Sequence, residues 1–314
     1  MQLYHAYAAL VAAMLGTHAW DSTNWKDQSM TEPNHKILVV GATGTVGSAL
    51  VEALAAAGEK VKAATRDPSR ALGAGVEAVR YDFDDPQTFD AALDGVDRVF
   101  YLSRPADVHA AGVATPLFEK AAASGVNRIV NMSAMGVDAD DNIPLRQVEI
   151  LLEKSTIAHT LLRPNWFMQN FSVGSFNGMI REQNGLFLPA ADASVSFIDA
   201  RDIAAVAAKV LTEDGHAGQR YALTGAETFT HSEVAQELSK VVDKTITYTA
   251  ISDGDMKSGL EAQGMPDTVV DFMLVLFGAM RAGYNASVTG DVSKVLGQQP
   301  RTLSAFAREF AASF

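Results

Sequence analysis

The stretch Ile37-Leu-Val-Val40-Gly41-Ala-Thr-Gly44-Thr-Val-Gly47-Ser-Ala-Leu50 decides how this chain folds. Four apolar residues in a row, ended by glycine, read as a buried strand, Ile37–Val40. The pattern after the glycines predicts a helix from about Thr45 to Ala57 that stops at Gly58. Glycine at 41, 44 and 47 permits a tight turn, lets backbone N–H groups approach a pyrophosphate, and lets the helix pack close to the sheet. The helix N-terminus then faces the anion. Gly41, Thr43, Gly44, Thr45, Val46 and Gly47 are the candidate cradle of a dinucleotide.

Outward from that turn, short apolar runs alternate with helical stretches. Strands are predicted at Val61–Thr65, Val76–Tyr81, Arg98–Leu102, Arg128–Met132 and Thr160–Leu162, with helices near Pro86–Leu93, Val108–Ser124 and Pro144–Ser155. This order makes a Rossmann-type doubly wound parallel sheet, an α/β fold. From Asn165 to Ala193 the periodicity fails, as in a lobe that wraps a ligand. Val195–Ile198 then leads to a helix at Arg201–Leu211 with Asp199 as N-cap. Gln219–Leu223 reads as a strand, and Thr230-His-Ser-Glu233 as a capping box opening a helix to about Val242. A β-rich run, Lys244–Ile251, precedes helices near Asp253–Ala262, Asp267–Ala282 and Leu303–Phe310. The expected division is an N-terminal extension, 1–35, outside the core fold; a nucleotide-binding domain, 36–164; and a smaller α+β substrate lobe, 165–314, with some strands returning to the sheet. Met30 would make a natural start.

The composition narrows the partners. Among 314 residues, 25 basic and 37 acidic side chains leave a net charge of −12, a field that repels nucleic acid and anionic lipid. Zero cysteines exclude disulfides and thiolate chemistry. The apolar stretch Val269–Met280 is shorter than the ~20 residues that span a bilayer. Ala6–Gly16 lacks the preceding positive charge of a secretory signal. The seven histidines never fall at i, i+4 with an acidic partner, so no metal site is expected. A Gly-x-Ser-x-Gly nucleophile turn is also absent. The expectation is a cytoplasmic monomer or homodimer with a small-molecule substrate.

At the end of the second strand an NAD site usually carries an acid that bonds the ribose 2′-hydroxyl. This chain has Thr65-Arg66-Asp67. Arg66 offers a planar fork to a 2′-phosphate, with Arg70 to assist, so NADP(H) is preferred and NAD(H) is admitted. Arg66 and Asp67 also read as solvated turn residues. Asp82 and Phe83 are placed to meet the adenine edge and face, although an Asp in such a turn needs no ligand. Ser103, in the loop after the fourth strand, completes the candidate cofactor set.

Gly41-Ala-Thr-Gly44-Thr-Val-Gly47, Thr65-Arg66-Asp67, Gly125-Val-Asn-Arg128, Leu162-Arg163-Pro164, Trp166-Phe-Met-Gln-Asn-Phe171 and Asp199-Ala-Arg-Asp202-Ile203 together resemble the NmrA-like branch of the atypical short-chain dehydrogenases/reductases. The resemblance spans roughly Lys36 to Phe310 and is nearest to the ergot-alkaloid and NAD(P)H:quinone or triphenylmethane-dye reductases. It implies NADPH as donor, and it includes cofactor-sensing regulators without evident catalysis. Typical short-chain reductases carry Tyr-x-x-x-Lys after the fifth strand, where the tyrosine protonates an alkoxide. Here Asn142 and Arg146 fall at those positions; neither serves as that acid, and Arg146, at the lysine position, stands as a catalytic candidate in another role. Ser133 matches the family's serine and is a candidate catalytic donor, or a hydroxyl satisfied by its own loop. His109 is a candidate proton donor or an ordinary helix-surface histidine.

Loss of the tyrosine favours acceptors that need no strong acid. A quinone leaves a phenolate-type anion whose conjugate acid has a pKa of roughly 10, and an iminium is neutralised outright. The pocket expected for them is aromatic: Trp166, Phe167, Met168 and Phe171 follow the Arg163-Pro164 turn, with Asn165 and Asn170 as polar guides. Part of that run is expected to be core. The reading is an NADPH-dependent oxidoreductase acting on a conjugated, aromatic or iminium-type acceptor. The alternative is an NADP(H)-sensing binding protein.

Overall fold

The computed structural model describes residues 35–69, 73 and 75–314, so the expectation for the N-terminal extension lies almost wholly outside the described residues. The chain runs β1 (Lys36–Val39), α1 (Thr45–Ala56), β2 (Lys60–Thr65), β3 (Val76–Arg80), α2 (Phe89–Leu93), β4 (Arg98–Leu102), α3 (Ala110–Ala123), β5 (Arg128–Met132), α4 (Pro144–Lys154) and β6 (Ala158–Pro164). It continues through α5 (Gln169–Ser172), α6 (Ser175–Gln183), β7 (Gly185–Leu188), α7 (Ala200–Thr212), β8 (Arg220–Leu223), α8 (His231–Ser239) and β9 (Thr247–Ala250). Four more helices follow: α9 (Asp253–Ala262), α10 (Asp267–Arg281), α11 (Asp291–Leu296) and α12 (Leu303–Glu309).

Seven strands form one sheet in the order β3-β2-β1-β4-β5-β6-β8, and every pair is parallel. Ile37, Leu38 and Val39 of β1 are fully buried because both faces of the sheet are covered, as their unbroken apolar run requires. Alternate side chains serve opposite layers. Ile37, Val39, Phe100, Val130 and Leu162 pack with α1, α7 and α11 on one face. Leu38, Tyr101, Ile129 and Leu161 pack with α2, α3 and α4 on the other. The order reverses between β1 and β4, which opens a crevice at the carboxyl ends of these strands.

β8 pairs with β6, so a strand from beyond residue 165 completes the sheet. The aperiodic stretch 165–193 contains α5, α6 and β7, and β7 pairs with β9 in a small parallel ribbon. Of the β-rich run 244–251, only Thr247–Ala250 is strand, and the helix expected to reach Val242 ends at Ser239. A third core fills this lobe, with Phe171, Phe197, Phe277 and Phe306 fully buried. Two polar clasps join lobe to sheet. Asp199 caps α7 and accepts a bond from Gln169 Nε2 at 2.8 Å, while Gln169 Oε1 accepts from the Ala200 amide. Asp202 pairs with Arg301, just ahead of α12.

Candidate active site

The glycine turn places backbone where a side chain does not fit. Gly41 has φ +73°, and the Gly44 amide donates to its carbonyl at 2.9 Å. A Cβ on Gly47 would lie 2.0 Å from the Gly41 oxygen, so only glycine lets α1 approach the turn this closely. Gly44, the N-cap of α1, supplies no capping side chain, and the first turn of the helix carries no acid. The positive end of α1 is therefore uncompensated by its own side chains, the electrostatic setting that favours a pyrophosphate. Thr43, Thr45 and Val46 belong to this same turn and helix start.

At the end of β2, Asp67 is turned into its own loop: its carboxylate accepts from the Ser69 amide (3.1 Å) and hydroxyl (2.6 Å). Its amide in turn donates to Thr65 Oγ1. Arg66 is exposed and makes no ion pair among the described residues. Arg70 lies outside the described residues. Asp82 Oδ1 accepts from the Asp84 amide, a local turn bond. Phe83 stands edge-on to Tyr81, with centroids 5.1 Å apart, and the Arg104 guanidinium lies 5.5 Å from its ring centre. Arg104 pairs with Asp84 and Asp107, tying the loop after β4 to the loop after β3. Arg104 was not among the sequence candidates, since its pairing with Asp84 joins residues 20 apart in the chain. The Ser103 hydroxyl is buried without a hydrogen-bond partner among the described residues.

Ser133, just past β5, donates its hydroxyl proton to Glu149 Oε1 at 2.5 Å. Glu149 is fully buried on α4 and is gripped by Arg163 (Nε at 2.9 Å, Nη2 at 2.7 Å) and by Arg146 Nη1 at 3.0 Å. Arg163 also reaches Asp138, and Arg146 reaches Asp141 and Glu153. The bond to Glu149 raises the Arg163 pKa; that to Glu153 raises the Arg146 pKa and holds Glu153 down at about 2. Arg146 is thus a permanent cation inside an ion network and no proton source. Asn142 is exposed and bonds Asp140. His109 is exposed at the N-cap of α3. Glu149 was missed in the sequence, although its i, i+3 spacing from Arg146 and the arginine ending a buried strand were both visible signals.

The aromatic segment divides in two. Met168 and Phe171 are buried in the lobe core, Phe171 edge-on to Phe197 at 5.1 Å, so these two substrate-site candidates are core residues. Asn165 is also buried and satisfied: its amide donates to Ser196 Oγ and the Asn285 carbonyl, and its oxygen accepts from the Trp166 amide and Asn285 Nδ2. That makes it a brace. Trp166, Phe167 and Asn170 keep exposed surface. Trp166 packs on Phe277 of α10 with centroids 5.4 Å apart. Among the described residues no cluster could hold a metal ion, and no helix is long and apolar enough to cross a membrane.

The NmrA-like family profile matches residues 33–307. The chain belongs to the NmrA-like family. It is 36% identical over 285 residues to an NAD(P)H azoreductase of Xenophilus azovorans, covering 88% of this chain and 99% of that one. A quinone oxidoreductase from Escherichia coli, solved with NADPH, superposes with a TM-score of 0.77 at 27% identity, covering 87% of this chain and 99% of that one. The triphenylmethane reductase of Citrobacter sp., solved with NADP(H), gives 0.75 at 25% identity, covering 88% and 99%. These NmrA-like relatives span the whole described fold, from the glycine turn to the lobe.

Proposed function

We propose that this NmrA-like chain is an NADPH-dependent reductase that delivers hydride to a conjugated acceptor of the quinone, dye or iminium class. The observation that carries this reading is the glycine turn, where a Gly47 side chain would strike the Gly41 carbonyl and where α1 begins with neither cap nor acid. Azo-, quinone- and dye-reducing relatives of full length support it. In this reading Gly41–Gly47 holds the pyrophosphate, Arg66 the 2′-phosphate, and Asp82, Phe83 and Ser103 border the adenine and ribose. A reduced nicotinamide supplies the hydride. Trp166, Phe167 and Asn170, which keep exposed surface, are the substrate-facing candidates, two aromatic rings and one amide suited to a conjugated acceptor. Asn142 and Arg146 provide no acid, which restricts the chemistry to acceptors whose reduced form is a weak base or neutral. The protein is proposed to work in the cytoplasm as a monomer or homodimer, in keeping with its charge and lack of cysteine.

The test is NADPH oxidation against a panel of quinones, azo and triphenylmethane dyes, iminium salts and saturated ketones. Acceptor-dependent oxidation with the conjugated members and little with ketones is expected. Cofactor binding without turnover on any member would establish the sensor reading instead.

A further inference from the structure

Ser103, Ser133 and Arg163 stand in one row at the carboxyl rim of the sheet. The register pairs Leu102 with Met132 and Met132 with Leu162, and the Ser133 amide continues the ladder to the Leu162 carbonyl. The next residue on each strand therefore shares one level and one face, the face that α4 covers. From α4, Glu149 reaches down to two members of the row, Ser133 and Arg163. Its carboxylate accepts four hydrogen bonds, one from Ser133, two from Arg163 and one from Arg146. A carboxylate accepts and does not donate, and this one has no spare lone pair. The Ser133 proton is consequently committed to Glu149, and only oxygen lone pairs remain for a ligand.

Building on the proposed reductase function, we propose that Glu149 is a positioning residue that fixes the polarity of Ser133, so that the site favours acceptors bearing an N–H donor beside the hydride-receiving carbon, as in an N–H iminium. In the family's usual arrangement the serine would donate to a substrate carbonyl; with Glu149 holding its proton, it accepts. Hydride adds to the iminium carbon, the π pair moves onto nitrogen, and the neutral amine keeps its N–H on the Ser133 oxygen. Charge falls from plus one to zero and no proton moves, so the chemistry agrees with a site whose nearest arginines are permanent cations and whose tyrosine position holds Asn142. A quinone, which carries acceptors only, gains nothing from Ser133.

The experiment compares a matched pair of acceptors, the protonated cyclic imine 3,4-dihydroisoquinolinium and its N-methyl iminium salt, by kcat/KM with NADPH. A quinone serves as a turnover control. The native enzyme is expected to favour the N–H member by about tenfold, the worth of one hydrogen bond to a cationic donor. Ser133→Ala, which leaves the Glu149–Arg163 pair in place, should bring that ratio close to unity. Glu149→Gln should lower the ratio as well, because a glutamine amide turned toward Ser133 donates and frees the serine proton. A purely structural role would slow both members equally and leave the ratio unchanged. An absent preference in the native enzyme, or one that survives in Ser133→Ala, overturns the inference while the quinone control upholds the reductase reading. No turnover on any acceptor, quinone included, overturns both.

Discussion

In the proposed reading Arg66 carries the cofactor choice, because the neighbouring acid turns into its own loop. Asp67 Oδ1 accepts both the amide and the hydroxyl of Ser69, which turns this carboxylate toward its own loop. The exposed guanidinium one residue earlier is free of ion pairs among the described residues, ready to fork onto a phosphate. Arg66→Ala is expected to weaken NADPH binding by about 1.5–3 kcal/mol, the range of a hydrogen bond to a charged group, and to leave NADH nearly unchanged. Titration of the variant with each nucleotide checks this; equal losses for both would remove Arg66 from the 2′-phosphate. The same scale explains why Arg146 serves as scaffold, since the bond to Glu153, with those to Glu149 and Asp141, raises its pKa beyond any use as an acid.

Among the elements, α8 has an unusual first residue. His231 is fully buried, with neither ring nitrogen bonded among the described residues, against Phe197 (5.5 Å), Tyr248 (5.6 Å) and Phe171 (6.3 Å). Burial pulls its pKa down to about 4. The unfolded chain binds a proton near pH 6.5, whereas the folded chain resists until about 4. Stability is therefore lost as pH falls from about 6.5, with a penalty that levels off near 4 at about 3 kcal/mol. His231→Phe should remove that slope: denaturation midpoints measured from pH 7.5 downward should show the variant gaining on the native protein in acid. Parallel curves would contradict it. The element scale also shows what the sequence could express. β1, α1, β4, β5 and the Thr230 capping box were legible because unbroken apolar runs, glycine and Ser/Thr-x-x-Glu are local signals. α5, α6 and β7 were not, since Phe171, Phe176 and Ile180 owe their burial to contacts with distant parts of the lobe. The cofactor turn was readable for the same local reason. By contrast, the role of Glu149 needed the sheet register that brings Arg163 beside Ser133.

At the scale of the whole molecule, the proposed site draws on both sheet and lobe: the sheet would contribute the turn, Arg66 and Ser133, and the lobe Trp166, which packs on Phe277 of α10. Asn165, Gln169, Asp199 and Asp202 hold sheet and lobe together through polar bonds, which in the proposed reading would fix the substrate surface relative to the cofactor edge. The central claim is that this crevice seats NADPH, and calorimetric titration of the native protein with NADPH and with NADH tests it most directly. The account predicts one-to-one binding of NADPH, with NADH weaker by about tenfold or more, the worth of one charge-assisted contact. Binding of neither nucleotide, or NADH as tight as NADPH, would contradict it.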